Sequence, residues 1–265
     1  MIFLGYILAV FMGAILGVLG GGGSILTVPI LVYFFNIPAS LATGYSLLVV
    51  GLTSAIGAYR YYTQNLLNFK IAFMFSLPSV VGVLFARKIV LPAFPNELFF
   101  MDLSLSKDAF IMISFSILVI VISLFMFKAK EPSKTETGNQ KTSRVNLLLI
   151  GLEGFFVGAL TGFVGAGGGF MIVPALVLFG NIALREAIAT SLLIISIKSL
   201  SGVVGDLTES VVFDWSFIAI FFAITTVGVI LGARLNTVIE VSKLRKGFAY
   251  FVLLMGILIL SKEIF

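Results

Sequence analysis

Apolar runs dominate the chain. Their approximate limits are 2–20, 24–35, 40–59, 69–90, 109–127, 146–165, 169–180, 186–205, 213–233 and 246–262. Most reach the ~20 residues that a helix needs to cross a bilayer. Two do not: 24–35 and 169–180 are about a dozen residues each, and each follows a glycine cluster and contains a proline. The pattern predicts an all-α, polytopic membrane protein with broken or short helices after glycine-rich turns. The strongly polar interruption at 128–145, with Lys128, Lys130, Lys134, Lys141 and Arg144, reads as a linker between a first membrane unit at 1–127 and a second at 146–265. The connection at 91–108, with Pro92, Pro95, Glu97 and Asp102, is expected to lie along the membrane surface. Met1 to Leu19 lacks a basic leading stretch, so it reads as the first membrane segment rather than a signal peptide.

The two units repeat each other. A shift of 145 residues lays GAILGVLGGGGSILTVPILVYFFNI at 13–37 on GALTGFVGAGGGFMIVPALVLFGNI at 158–182. Identical pairs include Gly13/Gly158, Gly17/Gly162, Gly20/Gly165, Gly22/Gly167, Gly23/Gly168, Pro29/Pro174 and Asn36/Asn181. The match runs on without a gap through Ser46/Ser191, Ser54/Ser199 and Gly57/Gly202. Shared apolar composition produces leucine on leucine, but it does not easily align glycines, a proline and an asparagine together. Each unit holds five segments, an odd number, so the repeats are expected to have opposite orientation. Short, glycine- and proline-interrupted segments at corresponding places in such halves point to a transporter binding site. The sequence leaves open whether the first two segments of each half form a re-entrant hairpin or full spans.

Composition narrows the chemistry. Hydrophobic residues make up 60% of the 265 and charged residues only 11%, against about 25% charged in soluble domains. Cysteine and histidine are both absent. That excludes disulfides, thiol nucleophiles and His- or Cys-based metal and haem sites, so no metal or cofactor is expected. The net charge of +5 is no nucleic-acid footprint, because the basic residues sit in short connections between apolar runs. Counted alternately, the linker's side collects Arg60, Lys70, Arg185, Arg234, Lys243, Arg245, Lys246 and the five linker cations. The other side collects Arg87, Lys88, Lys107 and Lys262. The positive-inside rule then puts the linker in the cytoplasm and both termini outside it, in a chain expected in the cell inner membrane.

The polar residues inside the apolar runs are the candidate chemistry. Glycine permits unwound backbone, and a short helix starting after such a break aims free N–H groups into the protein. Gly21, Gly22, Gly23 and Ser24 in one half, with Gly167, Gly168 and Gly169 in the other, are therefore the expected anion cradle. Tight helix packing is the alternative use of those glycines. Hydroxyls of Thr43, Ser46, Thr190 and Ser191 can donate to an oxyanion without adding charge, or make interhelical bonds instead. Asn36 and Asn181 are expected to cap the short helices. Lys198 lies deep in its run, where a charge costs roughly 2.5–3.5 kcal/mol and marks a functional site by default. It is expected to contact an anionic ligand or to pair with a membrane carboxylate such as Glu153. Its counterpart in the first half is Thr53. Asp206, Glu209 and Asp214 read as an exposed acidic patch on the outer side.

Both halves resemble the TauE/SafE family of sulfite exporters. The resemblance rests on a glycine-rich turn, an apolar stretch with a proline, and an Ala-x-x-Thr-Ser type helix. Here these are GVLGGGGSILTVPIL, then GFVGAGGGFMIVPAL followed by AIATSLL, while ATGYSLL at 42–48 departs with Tyr45 in place of Thr190. The resemblance implies transport of sulfite or organosulfonates, sulfoacetate among them, usually outward. A proton-coupled importer using Glu153 or Asp206, and a non-transporting membrane assembly factor, are the competing readings. No catalytic motif supports an enzyme. The expected partners are a small anionic substrate and the lipid bilayer, with no nucleic acid; a homodimer is left open.

Overall fold

A computed structural model describes residues 2–95, 97–100, 103–128, 144–178, 180, 182–208, 213–235 and 241–264. The linker expected at 128–145 lies outside the described residues except at its two ends, as do Asn181 and Glu209. The first half contains α1 (Ile2–Leu19), a 3-10 turn at Gly22–Leu26 leading into α2 (Thr27–Phe35), α3 (Ala39–Tyr62) and α4 (Phe69–Phe85). A π-helical turn at Ala86–Val90 follows, then the short α5 (Leu91–Ala93), a hairpin of β1 (Glu97–Phe100) and β2 (Leu103–Ser106), and α6 (Lys107–Lys128). The second half contains α7 (Arg144–Val164), α8 (Gly169–Leu178), α9 (Leu184–Thr208), α10 (Trp215–Leu235) and α11 (Val241–Ile264). The fold is almost wholly helical, and all ten expected apolar segments are helices. The surface connection at 91–108 differs from expectation by pairing antiparallel, Glu97 opposite Ser106.

Six helices among the described residues are long and apolar enough to cross a membrane: α1, α3, α4 with its extension to Ala93, α6, α9 and α10. The stretch Gly22–Phe35 has 14 residues and α8 has 10. At 1.5 Å per residue they reach about 21 and 15 Å, short of the ~30 Å hydrocarbon core. α1 is thus of spanning length, while α2 and α8 are half-helices.

The local causes are legible. α1 ends because Gly20 turns left-handed (φ 66°), and its N–H donates to Leu16 O at 3.0 Å. α7 ends the same way at Gly165 (φ 74°), whose N–H donates to Thr161 O at 2.8 Å. α2 stops at Asn36, also left-handed, where the Ile37 N–H closes onto Leu31 O at 3.1 Å, as its expected capping role requires. Asn68 caps α4 by accepting from the Ile71 N–H at 3.1 Å.

The repeat reappears in the packing. α1 of the first half lies against α10 of the second, and α7 of the second lies against α4 of the first. α3 faces its own counterpart α9, and α6 faces α11. Glycines set the swapped contacts at matching positions: Gly13 and Gly17 meet the backbone of α10, and Gly158 and Gly162 meet that of α4. Large apolar side chains on α1, α4, α6, α10 and α11, including Phe11, Leu77, Val121, Ile220 and Leu254, point outward. α3 and α9 are the most enclosed spans. The two glycine breaks sit against this central pair.

Candidate functional site

The breaks meet face to face. A Cβ on Gly21 would collide with the Cα of Gly169, and the reverse collision is equally severe. Gly21 adopts φ 132° to make that approach, and Gly167 and Gly168 are left-handed as well. Ser24 packs on Gly167, with its Oγ 3.1 Å from where a Cβ would stand. Residues 20–31 and 164–170 are buried without exception. α8 makes its first bonds from the Met171 and Ile172 N–H groups to Gly168 O, at 3.0 and 3.2 Å. The Gly169 and Phe170 amides therefore stand ahead of the helical ladder, as the first N–H groups of any helix do. Both breaks exist as the sequence predicted. They touch, so this conformation encloses no space between Gly21 and Gly169.

The serines tie the halves together rather than standing open. Ser46 Oγ donates to Gly165 O at 2.6 Å, and the matching Ser191 Oγ donates to Gly20 O. Each hydroxyl from one half thus satisfies the carbonyl of the left-handed glycine in the other, an acceptor the helix end leaves unused. Ser24 Oγ donates to Gly21 O at 2.6 Å within its own break. Thr190 lies apart from the breaks' contact and accepts the Asn68 N–H at 3.1 Å. Gly22 opens the 3-10 turn, while Gly23 packs on α1 at Met12 and Leu16. Ser54 and Ser199, another repeat pair, are buried with hydroxyls that have no partner among the described residues.

Lys198 reaches the second break. It is fully buried, and its Nζ lies 2.8 Å from the place a Gly168 Cβ would occupy. Nζ donates to Thr161 Oγ1, and that hydroxyl gives its own proton to Val157 O at 2.6 Å, which leaves a lone pair for the ammonium. Among the described residues Lys198 makes no ion pair. Glu153 is half-buried, and its Oε2 has no partner among the described residues. The first half has no equivalent charge: Thr53 donates back to Val49 O at 2.7 Å, and Leu16 stands where Thr161 does.

A second polar cluster corrects the sequence reading. Arg87 and Asp206 are not surface charges. They are 2% and 4% exposed and form a salt bridge between α9 and the π-turn after α4, with Nη1 3.1 Å from Oδ1. Arg87 Nη1 also donates to Thr43 Oγ1 at 3.2 Å, so Thr43 serves here as an acceptor. The reason is reach: the π-turn and the last turns of α9 lie against each other, and two isolated buried charges must pair. Asp214 alone of the expected acidic patch is exposed among the described residues; it caps α10 by accepting from the Phe217 N–H at 3.0 Å. The available signal was one basic and one acidic residue near the inner margins of long apolar runs in opposite halves.

Residues 5–259 match the family described as Sulfite exporter TauE/SafE. A probable membrane transporter protein of Bacillus subtilis, YdhB, is 28% identical over 257 residues, covering 96% of this chain and 98% of that protein. A probable membrane transporter protein of Methanocaldococcus jannaschii is 27% identical over 270 residues, with 96% and 94% coverage. One from Xylella fastidiosa is 26% identical over 254 residues, with 95% and 92% coverage. No solved structure matches the chain. With the glycine breaks, the buried lysine and this end-to-end correspondence together, the chain belongs to the TauE/SafE family and is a multi-pass membrane transporter, not an enzyme.

Proposed function

We propose that the protein carries a small sulfur oxyanion, sulfite or an organosulfonate such as sulfoacetate, outward across the cytoplasmic membrane by alternating access. Gly21, Gly22, Gly23 and Ser24 would face Gly167, Gly168 and Gly169 around the bound anion, with Lys198 supplying its charge. The observation that carries this reading is Lys198 itself: a fully buried cation at a helix break, with one hydroxyl partner and no ion pair among the described residues. Such a charge costs roughly 2.5–3.5 kcal/mol inside a membrane, and an anion at the break would offset it. The amides ahead of α8 add a partial positive charge in the same place.

The halves are read as oppositely oriented, with the linker cytoplasmic and both termini outside. The charge bias favours that orientation more strongly once Arg87 is removed from the minority side, since a buried ion pair says nothing about topology. Direction follows from the potential. With the inside negative, each anionic charge leaving gains about 2.3 kcal/mol per 100 mV. The touching breaks must part for an anion to sit between them, so transport requires the Gly21–Gly169 contact to open.

The test is flux of radiolabelled sulfite or sulfoacetate in proteoliposomes. Protein-dependent flux that accelerates when the anion-loaded side is made negative is expected. Flux equal to protein-free vesicles for both anions would end the reading.

One observation supports proton-coupled uptake as a second reading. Asp206 is committed to Arg87, but Glu153 keeps a buried Oε2, unpartnered among the described residues, on the helix that also carries Thr161. Uptake driven by an inward pH gradient and lost in Glu153→Gln would favour it.

A further inference from the structure

The bond pattern of Arg87 is unbalanced. A guanidinium carries five N–H donors on a planar fork. Nη1 serves both Asp206 Oδ1 and Thr43 Oγ1. Nε and Nη2 are shielded from solvent and have no partner among the described residues, and neither does Asp206 Oδ2. A purely structural arginine–carboxylate pair in an apolar interior would be expected to use two parallel bonds, fork to fork, because each orphaned polar atom is costly there. Here the carboxylate takes only one bond, and the edge of the guanidinium that carries Nε–H and Nη2–H is left over. Those two N–H groups are parallel, and they suit two oxygens held on one centre.

The position of this edge matters. Thr43, bonded to Arg87, packs its backbone directly on Gly165, the residue that ends α7. Lys198 meets the same break at Gly168. Lys198 therefore touches the second glycine break at Gly168, and Arg87 reaches it three residues earlier, at Gly165, through Thr43. Arg87 itself sits in a π-helical turn, an element that recurs at functional sites.

We infer that the Nε–Nη2 edge of Arg87 is a second oxyanion-binding position on the permeation route, selective for groups with two or more oxygens on one centre, sulfite or a sulfonate. This rests on the proposed function and adds a step to it: the anion passes between Arg87 and Lys198 along the second break. Asp206 holds the guanidinium by Nη1 and tempers its charge, so the anion is not trapped.

The test is calorimetric titration of the purified full-length protein with sulfite, sulfoacetate and chloride, the melting midpoint of each variant being measured alongside. Arg87→Lys keeps the charge and removes the two-donor edge. It should weaken sulfite and sulfoacetate at least tenfold while leaving any chloride binding unchanged. Asp206→Asn should tighten both oxyanions several-fold, because the opposing charge is gone. A merely structural pair predicts lower melting midpoints with unaltered affinity in the folded protein. Wild-type affinity in folded Arg87→Lys overturns the inference, as does unchanged or weaker binding in Asp206→Asn. The asparagine variant decides the question alone where the lysine variant does not fold. Loss of binding in Lys198→Ala with Arg87→Lys unaffected leaves the proposed function standing without this site. A wild type that binds neither oxyanion removes both.

Discussion

The two glycine breaks share the left-handed turn that ends the preceding helix and differ in the backbone beyond it and in their surroundings. Gly20 and Gly165 both end a helix in the left-handed region, and each has its carbonyl held by a serine from the opposite half. Around the first break the flanking positions are Leu16 and Thr53, and Thr53 bonds inside its own helix. Around the second they are Thr161 and Lys198, with Arg87 reaching its other end through Thr43. The comparison separates two jobs. The repeat supplies a symmetric scaffold able to hold unwound backbone inside a membrane, and the charge is placed on one side only. A buried lysine at the first break as well would add its own desolvation cost.

The largest expected effect comes from the part the breaks share. Gly21→Ala forces a side chain into φ 132° and into Gly169, and Gly169→Ala makes the opposite collision. At Gly21 the backbone strain costs about 1–3 kcal/mol, and at either position the overpacking costs about 1–3 kcal/mol. Both variants should lose monodisperse, folded protein in fluorescence-detected size-exclusion melting. A melting midpoint at the wild-type value would show that the breaks do not pack as described.

Next in size is the asymmetry itself. Lys198→Thr gives the second break the residue of the first, and sulfite flux in proteoliposomes should fall at least tenfold. Thr53→Ala, at the matching position, should stay within about twofold, since it removes only a hydroxyl bonded within its own helix and a typical intramembrane hydrogen bond is worth about 0.6 kcal/mol. Equal losses at the two positions would mean that both breaks hold the anion alike.

The smallest effect tests the symmetric element. Ser46→Ala and Ser191→Ala each strip one cross-half bond from a buried glycine carbonyl. Each should lower stability by about 0.6–1.7 kcal/mol, and by the same amount, read as unfolding midpoints in mild denaturant. A marked loss of sulfite affinity at unchanged stability would instead return these hydroxyls to the substrate.

Much of this was readable in the chain, for physical reasons. The ungapped pairing of glycines, proline and asparagine announced both breaks, because left-handed backbone selects glycine and few other residues. Lys198 stood out because a charge deep in an apolar run is expensive. Arg87 and Asp206 were misread as solvated charges, since both lie near the margins of their runs, where charges are usually topology markers. Only the fold shows that the π-turn after α4 carries Arg87 inward to α9. The serine hydroxyls were placed in the right region, with an oxyanion and an interhelical bond both open as partners: sequence shows a donor near a break but not the carbonyl that captures it. Nothing in the alternation of residues 97–106 marked a hairpin, because it is only four residues per strand.

The most direct test of a cationic anion site at the second break is the stabilisation of the purified protein by sulfite. At a concentration about one hundred times the wild-type dissociation constant, sulfite should stabilise the wild type by about 2.7 kcal/mol, raising its melting midpoint. The same concentration should stabilise Lys198→Thr by half that or less, with its ligand-free melting midpoint preserved. Equal sulfite-induced shifts in the two proteins would contradict the account.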